Sequence, residues 1–115
     1  MAKKAFSQVW KSITGMPAAQ LTRYTFVKYD ANGDVTTAGA GEAAVGVTYE
    51  PNGVGEPAQV VASGFAFITL GGTVAAGAEV ESDAAGKAVT LATGKSLGVL
   101  AVGGAAGDIG TILLK

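Results

Sequence analysis

Asp30, Asn32 and Asp34 put three oxygen-bearing side chains on alternate positions, which is how a calcium loop begins. Such a loop closes with Gly at its sixth position and Glu at its twelfth, and Val35 and Gly41 stand there instead. The stretch is therefore expected to be a turn. Thr93-Gly94-Lys95-Ser96 has the ending of a phosphate-binding loop, but Val89 occupies the place of the upstream glycine and no amphipathic helix follows, so a hairpin turn is expected here too. Glu79, Glu81 and Asp83 alternate as the wet side of a strand would. The chain has no His and no Cys, which removes the usual general base, the usual zinc ligands, the thiolate nucleophile and any disulfide. No catalytic residue, no metal site and no cofactor is expected, and the chain is not read as an enzyme.

The elements that would carry these residues repeat. Gly46-Val47, then Gly55-Glu56 and Val60-Val61, recurs as Gly98-Val99, Gly107-Asp108 and Ile112-Leu113, an offset of 52 residues. Asp30-Ala-Asn32-Gly33 leading to Val35-Thr36 is echoed by Asp83-Ala-Ala-Gly86 leading to Val89-Thr90, at 53 to 54. What repeats is turns and apolar positions, not reactive groups. Each copy alone buries too little surface, so the two are expected to complete one core.

From Tyr24 onward, short runs rich in β-forming residues are bounded by Gly, Asn, Asp or Pro. They fall at 24–29, 45–49, 59–62, 64–70, 78–81, 88–92, 97–102 and 109–114, with turns at Asn32-Gly33 and Pro51-Asn-Gly53. The expected class is all-β: a small compact β-barrel or β-sandwich of two related strand-turn-strand halves, with an N-terminal arm. The arm spans 1–23 and the β-domain 24–115, with the repeat at about 26–63 and 79–115. All aromatic residues lie at or before Phe67, leaving aliphatic residues to pack the second, thinner half.

At 115 residues there is room for one domain. Only 15% of the residues are charged, so much of the surface is expected to meet other protein. Residues 1–29 carry five cations and no acid, whereas 30–115 carry nine acids and three cations. A basic leader on an acidic body suggests an arm that reaches an acidic protein patch, its cations being too sparse for a nucleic-acid footprint. Phe6, Val9, Trp10 and Ile13 have helical spacing, so the arm is either a short helix or an extended segment. Polar Ser7, Gln8, Lys11 and Ser12 interrupt what would need to be a continuous apolar core, so no secretion signal is expected. The uncharged run from Pro57 to Ala78 holds four glycines and is expected to form strands, not a membrane span.

Gly64-Phe-Ala-Phe-Ile-Thr-Leu70, the step from Val74 through Gly77 and Val80 to Asp83-Ala-Ala-Gly86-Lys87, and Leu97-Gly-Val-Leu-Ala101 before Gly107-Asp108 together resemble the tailed-phage capsid cement, or head decoration, proteins. The resemblance covers about residues 40–115. It implies a non-enzymatic virion protein, made in the host cytoplasm, that binds the outer surface of the head, partners the major capsid protein and forms a homo-oligomer, a trimer or a dimer. Neither nucleic acid nor membrane is an expected partner.

Two functions then compete. In the first, capsid cement, the segment Lys3, Lys4, Phe6, Val9, Trp10, Lys11 and Ile13 grips capsid or a neighbouring subunit, while Asn32, Gly33, Gly46, Gly55, Gly86, Gly98 and Gly107 shape the turns. In the second, a glycan- or host-surface-binding module, Tyr24, Tyr29 and Tyr49 form an aromatic platform.

Overall fold

A computed structural model of the chain describes residues 10–15, 21–50 and 58–114. Among them nine strands form one antiparallel sheet, and there is no helix. The strands are β1 (Trp10–Gly15), β2 (Phe26–Tyr29), β3 (Val35–Thr37), β4 (Gly46–Glu50), β5 (Ala58–Thr69), β6 (Glu79–Ser82), β7 (Ala88–Thr90), β8 (Gly98–Val102) and β9 (Ile109–Leu114). Their order is β3-β2-β4-β5-β9-β8-β6-β7, with β1 also paired to β5.

Both halves of this order are built with one register. Val27 faces Thr37 in β2–β3 as Val80 faces Thr90 in β6–β7. Phe26 faces Val47 as Glu79 faces Val99, and Val47 faces Val61 as Val99 faces Leu113. Even the bulges correspond: the ladder slips between Thr48 and Glu50 in one half and between Leu100 and Val102 in the other. The two tight turns match atom for atom. Asp30 Oδ1 accepts the amides of Asn32 and Asp34, and Asp83 Oδ1 those of Ala85 and Lys87. These carboxylates are occupied in closing Asx turns, the local chemistry that favours Asp there.

Register also refines the repeat. Val35 corresponds to Ala88, not to Val89, because the offset stays at 53 through both hairpins. Ser12 lies opposite Val61 as Phe65 lies opposite Leu113, which makes β1 the counterpart of the second half of β5. Each unit is therefore longer than 26–63 or 79–115. The first unit runs from β1 into the first half of β5, and the second from the second half of β5 through β9. Trp10–Gly15 is extended, so Trp10 and Ile13 lie on a strand and not on one face of a helix; Phe6 and Val9 lie outside the described residues. Runs 59–62 and 64–70 are one continuous strand up to Thr69, and 91–97 is no hairpin turn. Since β6 lies between β7 and β8, that connection crosses over β6, and Glu81 pins it by accepting the Ala92 and Gly94 amides.

Gly64 is where the two units join. Its φ of +83° lies in the left-handed region, which a glycine adopts freely. Side chains alternate along a strand, yet Val61 and Ala66, of opposite parity, both enter the main core. The faces of β5 are therefore exchanged across the junction. The first unit keeps a small core of Leu21, Val27, Val35 and Val60. The equivalent residues of the second unit, Val74, Val80, Ala88 and Ile112, lie in the larger cluster together with Ile68, Leu70 and Leu100. Against that cluster the first unit lays its other face, the row Phe26, Val47 and Val61. The second half is thus not the thinner one; aliphatic residues build the main core there, and Phe26 from the first unit completes it. Full burial of Phe26 contributes about 2–3 kcal/mol.

Candidate interaction surface

A half-exposed antiparallel strand ordinarily turns polar residues outward. On the second half of β5, on β9 and on β8 the outward residues are apolar except for half-buried Thr69 and Thr111. Leu113 faces Phe65 on one side and Val99 on the other, making one row; Thr111 with Phe67 and Val102 makes the next. With Ile109, six large apolar side chains on this face are 39–53% exposed. Among the described residues the face carries no charge, and Glu79 stands at its rim, opposite Val99, where it accepts a hydrogen bond from Ser96 Oγ.

Beside this face lies a cleft of about 330 Å³, walled by Tyr24, Tyr49, Phe65 and Phe67 and floored by Val61 and Ala66. Tyr24 and Phe67 meet edge to face, with ring centroids 5.5 Å apart, and the Arg23 guanidinium lies 5.7 Å from the centre of the Tyr24 ring. The backbone of Tyr24 is unusual, with a φ of +60°. The equivalent position in the second unit is Gly77, at +88°. Tyrosine at such an angle is strained by about 1–2 kcal/mol and persists only where its surroundings hold it. Here they do. The Tyr24 amide donates to the Thr48 carbonyl at 2.9 Å, and the Thr69 amide donates to the Tyr24 carbonyl at 2.8 Å. Buried Thr25 and Thr48 each donate a hydroxyl to the Thr22 carbonyl, at 2.7 and 2.6 Å. The second unit has Ala78 and Leu100 at these places, so the polar bracket belongs to the first unit alone.

Two carboxylates fix the crossover loops. Glu42 is held below the usual carboxylate range by a hydrogen bond from Lys28 and then by the Gly39 amide, and Glu81 by the Ala92 and Gly94 amides. Each anchors a loop; neither faces the aromatic cleft.

The fold is shared with a known structure. The chain is similar to the head fiber gp8.5 N base in bacteriophage phi29, with a TM-score of 0.74 and 15% sequence identity, over 92% of this chain and 94% of that one. At that identity the likeness is one of fold. Neither a protein-family model nor a curated protein matches the sequence.

The residues singled out in the sequence are scattered by the fold. Lys3, Lys4, Phe6, Val9 and Gly55 lie outside the described residues, while Trp10, Lys11 and Ile13 are on β1. Asn32, Gly33, Gly86 and Gly107 form turns, and Gly46 and Gly98 sit where a methyl group would strike the Val61 and Leu113 carbonyls of the neighbouring strand. Tyr24 and Tyr49 share the cleft, but Tyr29 lies elsewhere, beside Lys28 and Glu42. Phe65, Phe67, Val99 and Leu113 were not expected as surface residues. Their neighbours on the inward side are Ala66, Ile68, Leu100 and Ile112, so both faces read as apolar and alternation gave no orientation.

Proposed function

We propose that the chain is a structural protein of a phage head, non-catalytic, which binds the outer surface of the major capsid protein lattice and stabilises it. The observation that carries this reading is the fold held in common with the phi29 head fiber base over nearly the whole of both chains. The resemblance of residues 40–115 to head decoration proteins and the charge-poor, apolar surface support it. A protein that binds only the assembled lattice stabilises that lattice in proportion to its occupancy. Contacts to several capsid subunits would add avidity. Lys3, Lys4, Phe6, Val9, Trp10, Lys11 and Ile13 remain the candidate grip on capsid.

Co-sedimentation of the purified chain with heads lacking it tests the reading: saturable binding supports it, and no binding removes it. The glycan-binding alternative draws on the aromatic cleft, where Tyr24 and Tyr49 stand with Phe65 and Phe67. Specific glycan-array binding that Tyr49→Ala abolishes would favour that alternative.

A further inference from the structure

We propose that the outward face of β5, β9 and β8 is an interface between copies of this chain. The inference concerns the chain's own surface and goes beyond the capsid reading. In the first unit the row Phe26, Val47, Val61 is buried, covered by the core residues of the second unit. The equivalent row in the second unit is Glu79, Val99, Leu113, continued by Phe65, and it lies open: Val99 is 39% exposed, Leu113 46% and Phe65 52%. The inner faces of both units are already buried within the chain, so what a second copy can offer this open row is its own open row, face to face.

Size and chemistry agree with a second copy. Six side chains at these exposures present roughly 600 Å² of apolar surface, at the top of the ~300–600 Å² range of the largest patch on an ordinary monomer and approaching the ~800 Å² that each partner of a stable complex buries. Among its described residues the face has no ions with which to select a charged partner, whereas an uncharged sheet face complements its own copy. Only at the edge does a charge enter: Glu79 takes the place of buried Phe26, as expected of an interface with an apolar centre and a polar rim.

Light scattering and sedimentation velocity on the full chain, without heads, test this. The wild type is expected at a multiple of the 11.3 kDa chain mass, dissociating on dilution. Leu113→Glu and Phe65→Lys, both on exposed positions, should weaken association by about 100-fold or more while circular dichroism stays unchanged. Tyr29→Glu, away from the face, should leave the mass unaltered. Because the chain has no cysteine, Val102→Cys gives a second readout that needs no destabilising change: it should cross-link chain to chain, and Tyr29→Cys should not. A monomeric wild type, or Leu113→Glu folded and still associated, overturns the proposal. So does a monomeric wild type whose head binding is lost on Leu113→Glu, since the face would then belong to the capsid. Copies that associate but ignore heads would sink the capsid reading and leave the interface standing.

Discussion

Gly98→Ala should be among the most damaging single-methyl additions to this chain, and its cost can be worked from neighbouring atoms. A Cβ built on Gly98 lies 2.3 Å from the Leu113 carbonyl oxygen and 3.1 Å from Ile112 side-chain carbons. The oxygen belongs to backbone of β9, which is paired to β8 on one side and to β5 on the other, so relief requires the strands to part by about an ångström, a shift costing about 1–3 kcal/mol. The φ of +153° adds about 1 kcal/mol. Gly33→Ala is the control: its φ of +82° carries a similar conformational penalty, yet nothing lies within 4 Å of the added methyl. Gly33→Ala should therefore cost about 1 kcal/mol and Gly98→Ala about 3 kcal/mol or more. In melting temperature the difference is on the order of 10 °C for a domain of this size. Gly46→Ala, with the Val61 carbonyl 2.2 Å from its Cβ at the equivalent site, should resemble Gly98→Ala. Urea unfolding at one fixed chain concentration measures all three. A Gly98→Ala protein within about 1 kcal/mol of Gly33→Ala would refute the close approach, and with it the shared register of the two units.

Tyr24→Gly relieves the left-handed strain while losing the ring, whereas Tyr24→Ala loses the ring and keeps the strain; the glycine variant should be the more stable by about 1 kcal/mol in urea unfolding. Thr48→Val removes a hydroxyl that donates to the Thr22 carbonyl and accepts from the Thr25 amide, and should lower stability by about 1–3 kcal/mol by the same assay; Leu100, its counterpart, has no such bonds to lose. Glu42 and Glu81 have lowered folded-state pKa values, so their stabilisation is complete above the ordinary glutamate range and fades as pH falls through the folded values. Unfolding followed from about pH 7 to about pH 3 should show that acid loss, with a shallower slope in Glu81→Gln.

Much of the fold was legible because turns leave local signatures. Asp30 to Gly33 and Asp83 to Gly86 are set by side chains bonding to the backbone two and four residues on, and this happens within a window that sequence displays. Gly46 and Gly98 announced themselves by recurring, although what demands them is a carbonyl on another strand. The start of the repeat was hidden because β1 and its counterpart, the second half of β5, share pairing geometry and no residue types: Ser12 matches Phe65, and Thr14 matches Phe67. Helical spacing in Trp10 and Ile13 was coincidence in a segment held by strand pairing. The apolar face was hidden for another reason. Strands apolar on both sides carry no alternation, and only the exchange of faces at Gly64 decides which side turns outward. Tyr24 looked like an aromatic at a strand start, and its left-handed backbone is visible only beside Gly77 in the other unit.

The central claim is a head-bound structural protein, and a cryo-electron map of heads lacking the chain, before and after adding it, tests that most directly. The account predicts new density of this nine-stranded fold at repeating positions on the outer surface of the capsid lattice. Heads that look the same with and without the chain would contradict it.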